Sequence, residues 1–371
     1  MMMRRVSPQC WSIGVVVLSL FGCATAAPPQ AQKVKTVNLS GQVTLEPKTY
    51  TNTQFVIKQS NTHLDCQNAL IDGEGVVLTG LRIVSDGSAP LNNVSVKNCR
   101  FRNFDTSGIR IYFQGNDTLK LKYSMEDRYR LAPQQVKVSN VLIEDTAKSG
   151  LYVDDYVQDV LIDGLTVRRA GGTGVYLEHH SRRTTIQNST FEHNGFRDGG
   201  LAVREAIAID SSMHNIIRNN TFRANAKGGV FLYKNCGERF STGKAVLRTY
   251  EASFNLIENN TFVDMPTGVW LASRQSKKLD KWDCGDTPLE QTGTYFQDYA
   301  RNNTVQGNRF CNVAKPVIVE DNDNKIVRNR YANAKQQFVE ITDPPRAKVL
   351  GQKVTGTVIE ANTEDRASCT F

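Results

Sequence analysis

The sequence predicts an all-β solenoid, a parallel helix of short stacked strands, and three observations carry that prediction. A segment led by a small residue returns along the chain: Gly108-Ile-Arg-Ile-Tyr112, Gly150-Leu-Tyr-Val-Asp154, Gly174-Val-Tyr-Leu-Glu178, Ala206-Ile-Ala-Ile-Asp210, Gly229-Val-Phe-Leu-Tyr233 and Gly268-Val-Trp-Leu-Ala272, with a weaker copy at Pro316-Val-Ile-Val-Glu320. Each copy alternates apolar and outward residues with the period of two that marks a strand. A second segment trails it: Val96 to Phe101, Ile186 to Phe191, Ile217 to Phe222, Ile257 to Phe262, Val305 to Phe310 and Val327 to Tyr331, most copies carrying Asn. The shortest recurrence, Gly150 to Gly174, is roughly two dozen residues, a period that belongs to solenoids.

The elements follow in chain order. Arg4 and Arg5 precede a short apolar run, Trp11 to Phe21, which reads as an export signal rather than a membrane span. Leu20-Phe21-Gly22-Cys23 resembles the bacterial lipobox, which implies acylation of Cys23 and an N-terminal lipid anchor. Plain cleavage near Ala24-Thr25-Ala26-Ala27, leaving a periplasmic protein, is the alternative, and an uncharged Ala24 fits sorting to the outer membrane. The expected organisation is a signal peptide over 1–22, a tether over 23–35 and one solenoid domain with its caps over 36–371. Residues 36 to 60 read as a lead-in that caps the first coil. Pro344-Pro345 and then Val349 to Ile359 read as a closing strand pair or cap, since solenoid ends need their edges hidden.

One coil of short strands cannot bury its apolar face alone, but stacked coils align Ile, Val, Leu and Phe into continuous interior columns about 4.8 Å apart. Asn tolerates the left-handed conformation and can bond its neighbour in the next coil, so the Asn before each Phe marks a corner. For the same reason the Asn-x-Thr sequences at Asn219-Asn220-Thr221 and Asn259-Asn260-Thr261 read as corners rather than glycosylation acceptors. Long insertions at Gln114 to Gln135, Cys236 to Ser253 and Arg274 to Arg301 leave one corner, and His193 to Glu205 leaves another. Loops on a rigid scaffold are where sites are built. Six cysteines follow Cys23, an even count that suggests disulfides in an exported chain. Sequence proximity favours Cys66–Cys99, Cys236–Cys284 and Cys311–Cys369 among the possible pairings, with buried free thiols as the alternative.

These repeats resemble the right-handed parallel β-helix superfamily, which includes pectate lyases, alginate lyases, C5-epimerases and NosD-type carbohydrate-binding proteins. The resemblance covers roughly residues 60 to 335. It implies a single-stranded right-handed parallel β-helix with N- and C-terminal caps and long loops on one side, acting on or binding polysaccharide in the cell envelope. The Asp-Pro-His-Asp motif of mannuronan epimerases is not in the sequence.

Alternation places three outward columns on the glycine-led face. Arg110, Tyr152, Tyr176, Phe231 and Trp270 form one, joined by Tyr112 from the next position, and aromatic rings there would stack on sugars. Asp154, Glu178 and Asp210 form the second, about 5 Å apart between neighbours and about 10 Å between the outer two, separations that suit glycosidase acids. They equally suit a solvated acidic strip or a Ca²⁺ site. The turns after them carry His179, His180, Lys234 and Arg274, beside Tyr233. These groups are of the right type to neutralise a uronate carboxylate and move its C5 proton.

The net charge of +8 favours a polyanionic partner. No basic tract interleaved with aromatics, nucleotide loop or zinc spacing occurs, which argues against nucleic acid. The expected protein is a monomer that meets an acidic polysaccharide as a lyase or C5-epimerase. A glycoside hydrolase and a non-catalytic binding lipoprotein are the alternatives, because fold does not fix function.

Overall fold

In a computed structural model the described residues are 34–115, 120–237, 240–243, 247–272, 282–291, 293, 295–296, 298–365 and 369. The signal segment, Cys23, the tether up to residue 33 and Arg274 lie outside them, and Lys35 at the end of the expected tether already belongs to the first strand. The strands join into one 28-stranded sheet of parallel pairings, wound as a right-handed helix whose coils present three faces.

Register follows the repeats. On the first face Leu151 pairs with Val175, Val175 with Ile207, Ile207 with Val230 and Val230 with Val269. Inward Ile, Val and Leu are fully buried along these columns. The phenylalanines of the second repeat stack as a pile of rings, with centroids 5.1 Å apart for Phe191–Phe222, 4.7 Å for Phe222–Phe262 and 4.8 Å for Phe262–Phe310. That pile explains the small residue leading the first repeat. A Cβ at Gly229 would sit 2.4 Å from the Phe262 ring and 2.7 Å from the Gly268 carbonyl.

The paired asparagines divide two tasks. The first of each pair turns the corner with positive φ, 55° at Asn219 and 54° at Asn259. The second points inward and builds a ladder: the Asn220 Nδ2 donates to Asn260 Oδ1 at 3.0 Å, Asn260 to Asn308 at 3.0 Å and Asn308 to Asn329 at 3.0 Å. Each rung also satisfies a corner carbonyl, as Asn260 does for Ile217 at 2.8 Å. The side-chain amides of the ladder are thereby paired with one another and with the backbone.

The ends differ in detail from the expectation. Lys35–Leu39, Gln42–Thr44 and Thr49–Thr51 are not a lead-in but a complete coil, pairing with Thr53–Ile57, His63–Asp65 and Leu70–Asp72. At the other end Pro345–Leu350 is a helix, and Val358–Glu360 and Thr363–Glu364 lie on the last coil. The Gln114–Gln135 insertion carries another helix, Met125–Leu131, capped by Ser124, whose Oγ accepts from the Asp127 N–H at 3.0 Å. Its Tyr129 and Leu131 pack with Phe113 and Tyr156. All three expected disulfides are present.

Asn260→Ala should lower stability by roughly 2–5 kcal/mol in chemical denaturation, because it strands the Asn220 N–H and the Ile217 carbonyl in the interior. Asn312→Ala, whose exposed side chain bonds Asp264 and Asn333 in the solvated outer row and whose φ is 53°, should cost about 1 kcal/mol, chiefly from the left-handed backbone. Equal effects would remove the ladder from any special role.

Candidate functional site

The first-face columns stand in the expected register, with Arg110 opposite Tyr152, Tyr152 opposite Tyr176, Tyr176 opposite Ala208, Phe231 opposite Trp270, and Glu178 opposite Asp210. Their exposure does not follow the expectation, because the insertions cover half the face. Phe231 and Tyr233 are buried, packed with Ala208 and Ala272, and Trp270 is half-buried edge-on against Phe231 at 5.2 Å. Tyr112 is buried as well, its hydroxyl accepting from Arg82 Nε at 2.8 Å. These four rings therefore offer no open sugar-stacking platform.

The groups expected to move protons are also enclosed. Lys234 is 4% exposed and its Nζ lies 3.1 Å from Asp286. The Cys236–Cys284 disulfide draws the Asp286 segment across this turn. Tyr233 donates to Glu205 at 2.9 Å and accepts from Arg204 at 2.8 Å. His179 pairs with Asp155 at 2.8 Å, and buried Lys120 reaches the same carboxylate. His180 is 1% exposed, stacked on Tyr156 with centroids 5.2 Å apart and edge-on to Tyr250 at 4.9 Å.

The acidic column is not a solvated strip. Arg248, a loop residue that carries no periodic signal in the sequence, bridges Glu178 at 2.7 Å and Asp210 at 3.0 Å. Asp154 is held by Arg110 at 2.6 Å. Tyr176 donates to Asp210 at 2.7 Å, and Tyr152 donates to Glu178. Burial and the adjacent Asp155 push the Asp154 carboxyl up. Burial also opposes the charge on Asp155, but His179 and Lys120 outweigh it and hold that carboxyl low. Burial works against the Arg248 charge too, and Asp210 with Glu178 overcomes it.

What remains open is a cleft of about 390 Å³ over the coils that carry Arg110, Tyr152 and Tyr176. Its walls add Lys148 and Gly172 from neighbouring coil corners and Arg197 and Arg204 from the His193–Glu205 insertion. That insertion contains a two-stranded hairpin, Phe196–Arg197 against Leu201–Ala202. The Arg110 guanidinium lies 5.2 Å from the Tyr152 ring centre and Arg204 lies 5.1 Å from that of Tyr176, so the two phenols sit between two cations. Arg204 is held charged against burial by Tyr233 and Glu205. Lys148 and Arg197 are exposed and have no carboxylate partner among the described residues. Of the six side chains that shape this cleft, three were legible as outward positions of the repeat. Lys148, Arg197 and Arg204 lie at a corner and on an insertion, where no periodicity points to them.

The first of two matching sequence families is described as "Right handed beta helix region" and covers residues 79–244. The second, described as "Periplasmic copper-binding protein (NosD)", covers residues 187–345. A comparison with curated proteins finds no significant match. Among solved structures the chain resembles the tailspike protein of Escherichia coli bacteriophage HK620 in complex with a pentasaccharide, with TM-score 0.51, 13% identity, and coverage of 90% of this chain and 55% of the tailspike. The GH136 lacto-N-biosidase of Eubacterium ramulus is a further neighbour at TM-score 0.49 and 14% identity, covering 85% of this chain and 44% of the enzyme. The chain thus spans about half the length of the structures it matches. It has the right-handed parallel β-helix fold that the first description and these structures share.

The second description names copper. No group of three or more His, Cys, Asp or Glu among the described residues could hold a metal ion. The six cysteines expected to pair are all in disulfides. The described residues therefore do not fit such a centre.

The strap that carries Arg248 titrates with His180. The Nε2 of His180 accepts from the Thr249 N–H at 3.1 Å, which only the neutral ring can do. Burial, His179 and Arg248 depress its pKa well below the ordinary 6.5, with Arg128 acting in the same sense and Asp155 against. Tyr129, Tyr156 and Tyr250 supply the remaining contacts. With the strap released, Arg248 and the burial that the strap supplies no longer oppose protonation of His180, so the ring takes a proton more readily than in the docked state. Docking is therefore strongest when the ring is neutral and weakens as pH falls through the released-state pKa, by up to about tenfold per unit. Hydrogen exchange across residues 247–251 should show that slope in the wild type and lose it in His180→Gln. A pH-independent wild type would remove His180 from control of the strap.

Proposed function

We propose that the chain is an extracytoplasmic protein that binds an acidic, uronate-type polysaccharide in the cleft over Tyr152 and Tyr176. The observation that carries this is the composition of the cleft walls. Among the described residues they contain four cationic side chains and two tyrosines, and no carboxylate. The cations divide by role. Arg110 and Arg204 are fixed by Asp154 and Glu205, so they add little net charge but present oriented guanidinium edges suited to a planar carboxylate. Lys148 and Arg197 have no carboxylate partner among the described residues and supply long-range attraction. The phenols between them give flat faces for pyranose rings. Three disulfides are at home in an oxidising compartment, in keeping with the periplasmic description of one matching family.

A catalytic reading of the same cleft is favoured by one further feature. Tyr152 and Tyr176 are neighbouring proton carriers, each bonded to a carboxylate and next to a guanidinium. With a uronate carboxylate neutralised by Arg110 or Arg204, one phenol would pass its proton to the carboxylate it already donates to, Glu178 or Asp210, and as phenolate take the C5 proton. In β-elimination the C4–O bond then breaks, C4 and C5 become doubly bonded, and a proton goes to the departing oxygen. In epimerisation the proton returns to the opposite face of C5. The hydrolase reading through Asp154, Glu178 and Asp210 has less support, because arginines and tyrosines already occupy those oxygens.

Lys148→Gln with Arg197→Gln should weaken binding of an acidic polysaccharide by about tenfold and flatten its salt dependence, with stability nearly unchanged. Titration calorimetry at two ionic strengths checks this. Equal binding of a neutral polysaccharide by the wild type would overturn the reading. Incubation with the same polymers, with and without Ca²⁺, tests turnover. Ultraviolet absorbance of an unsaturated uronate that is lost in Tyr176→Phe would establish elimination at this cleft. Reducing ends without that absorbance would restore the carboxylate column as the catalytic site.

A further inference from the structure

The cleft does not end at its wall. Ala147, Gly171 and Arg197 line it and also line a second, larger depression of about 820 Å³ on the adjoining coil corner. The two are separated by a low saddle of Ala147 and Gly171. The saddle stays low for a steric reason, since a Cβ at Gly171 would sit 2.7 Å from the Ala147 carbonyl oxygen.

The chemistry changes across the saddle. The second depression contains carboxylates where the first has none. Asp145 there is matched by Arg169 at 2.7 Å, but Glu74 and Asp105 pair with no cation among the described residues. Its wall includes Thr146, 2% exposed, whose Oγ has no hydrogen-bond partner. Phe196, 40% exposed on the hairpin, supplies a ring face beside them. Hydrogen-bond acceptors, an orphan hydroxyl and an aromatic face suit an uncharged sugar with free hydroxyls. Uncompensated carboxylates disfavour a second uronate.

We propose that the second depression is a sugar-binding site for an uncharged residue attached to the acidic one, so that the ligand is a heteropolysaccharide alternating acidic and neutral sugars rather than a homopolymer of uronate. This rests on the cleft reading above and adds the class of polymer. The chain of the ligand crosses the saddle between Ala147 and Arg197, with its carboxylate on the Arg110–Arg204 side and its neutral ring against Phe196.

The test compares two probes with the full chain at one ionic strength: polygalacturonate, a homopolymer of uronate, and hyaluronan, in which glucuronate alternates with an N-acetylated neutral sugar. The alternating polymer should bind at least about tenfold tighter. Phe196→Ser, and separately Leu201→Ser, both exposed side chains that line the second depression and not the cleft, should each weaken the alternating polymer by about fivefold to tenfold and leave the homopolymer unchanged. Thermal melting of both variants confirms that they fold. Equal affinity for the two polymers, or variants that bind both like the wild type, would overturn the second site and leave the cleft reading standing. Failure of both polymers to bind the wild type would bring down the two together.

Discussion

In-register stacking at a single strand spacing is the constraint on which the rest of this molecule depends. Every side chain is placed directly over its counterpart in the next coil, whether or not the two are compatible. For apolar groups the repetition is favourable, and the phenylalanine pile and the Ile/Val/Leu columns are its product. For interior amides it is favourable too, because each Asn has both a donor and an acceptor and can pass a hydrogen bond along the ladder. Carboxylates have no such option. Asp154, Glu178 and Asp210 are brought together by the same rule, and like charges at that spacing repel unless a cation is set between them.

The insertions answer that problem, and in doing so they decide where the protein is open. Arg248 comes down from one loop onto Glu178 and Asp210. The disulfide at Cys236 holds a further segment over Lys234. Neutralising the acids therefore requires covering the coils from about Ala208 onward, and the aromatic rings there become packing. The coils of Arg110, Tyr152 and Tyr176 lie beyond the reach of that cover. Here the hairpin forms a wall instead of a roof, and the outward face keeps an entrance. Architecture and site follow from one electrostatic requirement.

This also explains which parts were legible in the sequence. Fold, register and the outward columns depend on local alternation and on a repeat, and both are written in the order of residues from Gly108 to Glu320. The disulfide pairs were legible from sequence proximity alone, because the cysteines after Cys23 pair consecutively along the chain. Exposure was not legible. Whether Phe231 or Tyr152 meets solvent depends on where a long loop lands, and Cys236 to Ser253 has no period from which to read its path. The cations Lys148, Arg197 and Arg204 were hidden for the same reason. The two roles of each Asn pair, by contrast, required only knowing which member faces inward.

The buried ions under the cleft bear on its function in a further way. Arginines that must recognise a planar carboxylate need a fixed orientation, and an exposed arginine on a flexible stem loses that freedom only on binding. Arg110 and Arg204 have already lost it. Asp154 and Glu205 hold them from below, and Tyr152 and Tyr176 lie within cation–π range. The cost of desolvating those ion pairs is met in folding, so a ligand finds the donors preset. Attraction at a distance then falls to Lys148 and Arg197, which are exposed and pair with no carboxylate among the described residues. A site built this way separates the charge that draws a polyanion in from the charge that reads it. Losing the first should change the salt dependence of binding, and losing the second should change which acid is accepted.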